Sequence, residues 1–207
     1  MAKNDIPVIK PFNPLDKRYI GKIVAETLLS TDIASLPPAP FIGAGVYLIY
    51  YSGPFSAYKA LADLNKKNPC YPIYIGKAVP AGSRKGGLGL EVDHGMALYK
   101  RLAEHAESIK AASNLKIEDF KCQLLVVDDI WIPLTESLLI ERFRPIWNSL
   151  IDGFGNHDPG KGRYNQQKSP WDCLHPGRQW AERLQPAVLT DKELKIKSAE
   201  YLLATIK

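Results

Sequence analysis

Gly45-Val46-Tyr47-Leu48-Ile49-Tyr50-Tyr51 and Tyr71-Pro72-Ile73-Tyr74-Ile75-Gly76-Lys77 are the two stretches that decide the fold. Both are rich in β-branched and aromatic residues and are bounded by Gly, Pro or Ser, so each is expected to form a short strand. Side chains alternate along a strand, which puts Tyr47 on one face with Ile49, and Tyr74 on one face with Pro72 and Gly76. If the strands pair, the two phenols point into one cleft. A third run, Phe120-Lys121-Cys122-Gln123-Leu124-Leu125-Val126-Val127, is nearly continuous in apolar residues and is expected as a central strand.

Around these strands the pattern turns helical. A proline-containing arm over residues 1–15 leads to Asp16, after which Ile20, Ile23, Val24, Thr27 and Leu28 form a stripe. Ser35 to Pro40 breaks the chain. Ser56 is expected to cap a short helix reaching Asn65. A helix over Met96 to Ala112 lines up Leu98, Leu102, Ala106 and Ile109, and sets Arg101 and His105 one turn apart on one face. Pro133 opens a helix expected to carry everything from Glu136 to Asn148. A last helix is expected from Asp191 to Ile206. Between these elements lie a glycine-rich stretch, 78–96, with Arg84 and Lys85, and an irregular polar stretch, 149–185.

The chain has 207 residues, 45% of them hydrophobic, enough for one core with elaborations. Net charge is +5, from 27 Lys+Arg against 22 Asp+Glu, which permits a nucleic-acid partner without demanding one. Cys70, Cys122 and Cys173 are scattered and form no CxxC, so neither a zinc site nor a disulfide framework is indicated. No apolar run approaches a membrane span or a signal segment, and a reducing cytoplasm is expected. The glycine-rich stretch is not a P-loop, because no Gly-Lys-Ser/Thr closes it. Asp119-Phe120-Lys121 supplies the tail of a PD-(D/E)xK site without the upstream Pro-Asp, and His94, His105, His157 and His175 are not paired as an HNH site requires.

Gly45-Val46-Tyr47 followed by Tyr74-Ile75-Gly76, then Arg101 and His105, then Glu136, Leu139-Ile140, Pro145 and Asn148, resembles the GIY-YIG nuclease superfamily. Val46 stands where that family has Ile, and the connections after Tyr51 and after Gly76 are longer than usual. Tyr19-Ile20-Gly21 also spells half the signature, but it leads into a helical pattern with no Gly-x-Tyr before it. The resemblance implies an α/β (α+β) fold with a small central antiparallel three-stranded sheet flanked by helices. It is expected as a single domain over 1–207: arm and helix 1–40, catalytic core 41–150 with insertions at 54–69 and 78–96, and a C-terminal extension 151–207 for DNA contact or dimerisation. With recognition elements grafted onto the core, the chain looks most like a Type II restriction endonuclease. Repair-type members are small domains of much longer chains, and homing types carry separate DNA-binding modules. A DNA-binding protein on a silent core is the non-enzyme alternative, and the complete residue set argues against it.

Phosphodiester hydrolysis needs a nucleophilic water, stabilisation of charge on the phosphoryl oxygens, and help for the leaving oxygen. By resemblance, Tyr47 is the base, Tyr74 orients the water or phosphate, Arg101 supplies permanent positive charge, and Asn148 is a structural amide. A free phenol titrates near about 10. Its proton must therefore be drawn off by a nearby metal, Arg101 and Lys77, or be accepted by His105. Glu136 is the expected ligand of one Mg²⁺, with Mn²⁺ as a substitute. Glu141, about 140° further round the helix, is expected at the surface beside Arg142 or Arg144. Arg84, Lys85, Asn156, Lys161, Arg163, Asn165, Gln166 and Arg178 are candidate DNA contacts, interleaved with Tyr164, Trp171 and Trp180. The implied substrate is double-stranded DNA with a short palindromic site, cut to leave 5′-phosphate and 3′-hydroxyl ends. The implied setting is a homodimer in a bacterial cytoplasm, with a cognate DNA methyltransferase in the same system and no membrane.

Overall fold

The computed structural model describes residues 13, 16–80 and 95–206, so Arg84 and Lys85 lie outside the described residues. Its centre is an antiparallel sheet of β1 (Ala34–Ser35), β2 (Gly45–Tyr51), β3 (Tyr74–Ala78) and β4 (Phe120–Val126), in the order β1-β4-β2-β3. The three expected strands are present, and β4 is interior as expected. The fourth, β1, is only two residues long, too short for an alternating pattern to mark it in the sequence.

β2 is buried along its whole length, and its alternation sorts two cores. Val46, Leu48 and Tyr50 meet α1 (Lys17–Leu29) and α4 (Ile132–Phe143) through Ala25, Leu28, Ile132 and Leu139. Tyr47, Ile49 and Tyr51 face the other way. There they pack with α2 (Lys59–Asn65), α3 (Ala97–Ala111), α5 (Ile146–Ser149), α6 (Pro170–Leu174) and α7 (Asp191–Thr205). Each such fully buried aliphatic side chain stabilises the fold by roughly 1.5–3 kcal/mol relative to exposure. Gly21, the glycine of the stray Tyr19-Ile20-Gly21, lies in α1 where the helix presses on α4. A Cβ there would sit 2.0 Å from Leu138 Cδ1.

The long connection between β2 and β3 does not prevent their pairing, because Asn65 ties its two ends together. The Asn65 amide nitrogen donates to the carbonyls of Tyr51 and Tyr71, and its oxygen accepts from the N–H groups of Cys70 and Tyr71. Two local expectations are corrected. Ser56 caps no helix: it lies inside a 3-10 turn, Ser56–Tyr58, which begins after Phe55, whose N–H is held by Tyr51 Oη. The helix after Pro133 stops at Phe143, with Arg144 in the left-handed region (φ 44°), so Asn148 rides on the separate helix α5. Pro145 is the reason, since the ring of a proline disfavours helical backbone in the residue before it. Among the described residues no helix is long and apolar enough to cross a membrane.

Candidate active site

The register pairs Tyr47 with Gly76 across β2 and β3. Cross-strand partners share a face, so Tyr47 lies over a residue with no side chain. This is why the second half of the signature ends in glycine: a Cβ on Gly76 would come within 2.4 Å of Tyr47 Oη. Gly45 has the same kind of role, since a Cβ there would meet the Leu125 carbonyl oxygen at 2.0 Å. The two phenols converge as expected, with ring centroids 6.2 Å apart.

α3 delivers His105 and Arg101 to the same place. Tyr47 Oη is 2.6 Å from His105 Nε2, and both side chains are buried. Burial first, then the neighbouring Tyr74, pushes the Tyr47 phenol well above its usual range. Burial first, then the charge of Arg101, holds His105 well below the usual imidazole range. Both groups are therefore neutral near pH 7. With the His105 proton on Nδ1, the Tyr47 O–H donates to Nε2. Tyr74 is likewise pushed up by burial, opposed by the positive charge of Arg101 beside it.

Glu136 comes from α4, on the other side of β3, where its Oε2 pairs with Lys77 Nζ at 2.7 Å. Lys77 alternates with Gly76, so the ion pair flanks the phenols without sharing their face. Among the described residues no group of three or more His, Cys, Asp or Glu gathers to hold a metal. A single carboxylate still suits Mg²⁺, which keeps several waters and takes further oxygens from phosphate. The donor chemistry at Glu136 therefore fits one such ion. Asn148 binds the outer edge of β3 as a neighbouring strand would: its Oδ1 accepts from Ile75 N–H and its Nδ2 donates to the Ile75 carbonyl, both at 2.8 Å.

Glu141 is exposed, and among the described residues it forms no ion pair with Arg142 or Arg144. Asn156, Lys161, Arg163, Asn165 and Gln166 are all exposed on the C-terminal extension. Arg178 is the correction among the DNA candidates. It is 5% exposed, its Nε donates to Asp172 Oδ1 at 2.6 Å, and its terminal nitrogens donate to the carbonyls of Gly153, Phe154 and Asn156. Its guanidinium serves the chain's own backbone, sandwiched between the rings of Trp171 and Trp180. Sequence reasoning also passed over Phe154 and Gly155. Phe154 stacks on His105 with ring centroids 4.3 Å apart, and the Gly155 carbonyl accepts from Arg101 Nη2 at 3.0 Å. The signal was there, an aromatic residue between two glycines in an otherwise polar stretch.

No curated protein compared with the chain matches it. A family described as the Eco29kI GIY-YIG domain does, over residues 39–202, a span that takes in the two phenols, the α3 pair, Glu136, Asn148 and the loop carrying Phe154. The chain belongs to this family, a restriction-endonuclease type of GIY-YIG nuclease.

Proposed function

We propose that the chain is a Type II site-specific deoxyribonuclease, cutting double-stranded DNA at a short palindromic site and leaving 5′-phosphate and 3′-hydroxyl ends. The observation that supports it most is the neutral Tyr47–His105 pair lying against Arg101. A phenolate at Tyr47 is opposed by burial, so the phenol acts as a relay. A water beside the phenols passes its proton to Tyr47 Oη while the Tyr47 proton moves to His105 Nε2, the ring nitrogen 2.6 Å from it. Arg101 faces the charge that develops on the phosphoryl oxygens, and Tyr74 orients the water or the phosphate. Lys77 steadies the Glu136 carboxylate. Glu136 would hold one Mg²⁺ or Mn²⁺, which would supply Lewis-acid chemistry toward the phosphate and the leaving oxygen.

A palindrome cut in both strands calls for two such sites, hence a homodimer. Its setting is a bacterial cytoplasm, with a DNA methyltransferase of the same specificity protecting the host and forming no stable complex. The exposed Asn156, Lys161, Arg163, Asn165 and Gln166 contact DNA. Cleavage of a long mixed-sequence duplex, with Mg²⁺ and with EDTA, by the wild type and by Glu136→Gln tests the proposal. Discrete metal-dependent fragments, lost in the variant while DNA binding survives, are expected. Random nicking removes the site-specific reading, and tight binding without cutting under either Mg²⁺ or Mn²⁺ removes the enzyme.

A further inference from the structure

His157 belongs to none of the motifs that carry the family resemblance, yet it touches Arg101. Its Nε2 lies 2.6 Å from Arg101 Nη1. A guanidinium only donates, so the imidazole nitrogen facing it is the unprotonated one. Two further acceptors complete the arrangement. The Gly155 carbonyl takes Nη2 at 3.0 Å, and Glu104 Oε2 takes Nη1 at 3.1 Å. A Cβ at 155 would sit 2.8 Å from Arg101 Nη2, so a larger residue there would push the guanidinium aside.

The segment that presents His157 is fixed at both faces. Phe154 packs flat on His105 and edge-on to Tyr74. Behind it, Arg178 binds the carbonyls of Gly153, Phe154 and Asn156 while Asp172 holds Arg178 in turn. A side chain that is itself exposed is thus carried on backbone anchored by a buried ion pair.

We propose that His157 is a positioning residue for Arg101, and that the C-terminal extension thereby takes part in the reaction apart from any contact with DNA. An arginine side chain loses rotamer freedom when it is held in one place. The acceptors from the 155–157 segment hold both terminal nitrogens, so the guanidinium plane is set before the phosphate arrives. Misplacement of such a group by about 1 Å can cost about 100-fold in rate. The inference rests on Arg101 being the cation that meets the phosphate.

The test uses the full chain and single-turnover cleavage of a long mixed-sequence duplex at saturating enzyme, with DNA affinity measured separately by anisotropy in Ca²⁺. His157→Leu is expected to lower the single-turnover rate about 10- to 100-fold while affinity stays within about threefold. His157→Gln, whose amide oxygen accepts where Nε2 did, is expected to recover most of that rate, and His157→Lys is not. Nitrogen NMR relaxation of the Arg101 side chain, which needs no substrate, is expected to show greater motion in His157→Leu and wild-type rigidity in His157→Gln. A wild-type rate with unchanged Arg101 motion in His157→Leu overturns the proposal. So does a loss confined to affinity that Lys restores, which would make His157 a phosphate contact. Failure of the underlying reading shows separately, as wild-type cleavage by Arg101→Ala.

Discussion

Two buried phenols each face an imidazole in this protein. Tyr47 Oη stands 2.6 Å from His105 Nε2, and Tyr58 Oη stands 2.7 Å from His175 Nε2. Surroundings separate them. Tyr47 lies beside Tyr74 and Arg101, whereas Tyr58 also accepts from Trp147 Nε1, and His175 Nδ1 faces Asn114 Oδ1, so the second pair is a closed internal network. Both imidazoles are held neutral, His175 pushed down to about 3, chiefly by burial. An unfolded histidine titrates near about 6.5. Below that pH the unfolded chain takes up protons the folded chain refuses, so stability is greatest above it and falls as pH drops from about 6.5 toward the folded values. The slope reaches at most about 1.4 kcal/mol per pH unit for each histidine. Denaturant unfolding between neutral and mildly acid pH is expected to show this decline, and His175→Gln to flatten it. A stability that is level or rises on acidification would contradict the neutral assignment.

At the scale of elements, much was legible because local chemistry and tertiary need agreed. β2 and β3 showed themselves by composition and α3 by its apolar spacing; α7 starts at Asp191 as expected, behind a reciprocal capping box of Thr190 and Glu193. What failed to show depended on neighbours. β1 exists only because Ala34 and Ser35 find the edge of β4. The break between α4 and α5 was signalled by Pro145 but concealed by apolar residues continuing on both sides. That break leaves Arg144 at φ 44°, a conformation glycine adopts without steric cost. Relief of a left-handed conformation that costs roughly 1–2 kcal/mol, less the roughly 0.5–1 kcal/mol entropic cost of glycine, leaves Arg144→Gly expected to stabilise the protein by roughly 0.5–1 kcal/mol, raising Tm by about 1–4 °C, with Tyr201 Oη still donating to the backbone carbonyl at 144. A lower melting temperature would mean that the Arg144 side chain contributes more than its backbone costs.

Across the whole molecule, the candidate site is a meeting of three parts of the chain. The sheet gives Tyr47, Tyr74 and Lys77, the core helices give Arg101, His105 and Glu136, and the C-terminal extension gives Phe154, Gly155 and His157. The first two were readable because their motifs resemble those of the family, and because sequence spacing fixes which residues share a strand or helix face. The third showed only an aromatic residue between two glycines, since an irregular segment has no period, and its position is set by Arg178, a residue whose burial no local pattern announces. Whether phosphodiester hydrolysis runs through the phenol–imidazole pair at this junction is tested most directly by single-turnover DNA cleavage by Tyr47→Phe beside Tyr58→Phe. The expected result is a loss of at least about 100-fold for Tyr47→Phe, in the range of a removed general base, with DNA binding and fold retained. Tyr58→Phe is expected to lose stability by roughly 1–3 kcal/mol, from the buried partners left unpaired, and to cut at the wild-type rate below its melting temperature. Wild-type cleavage by Tyr47→Phe would contradict the account.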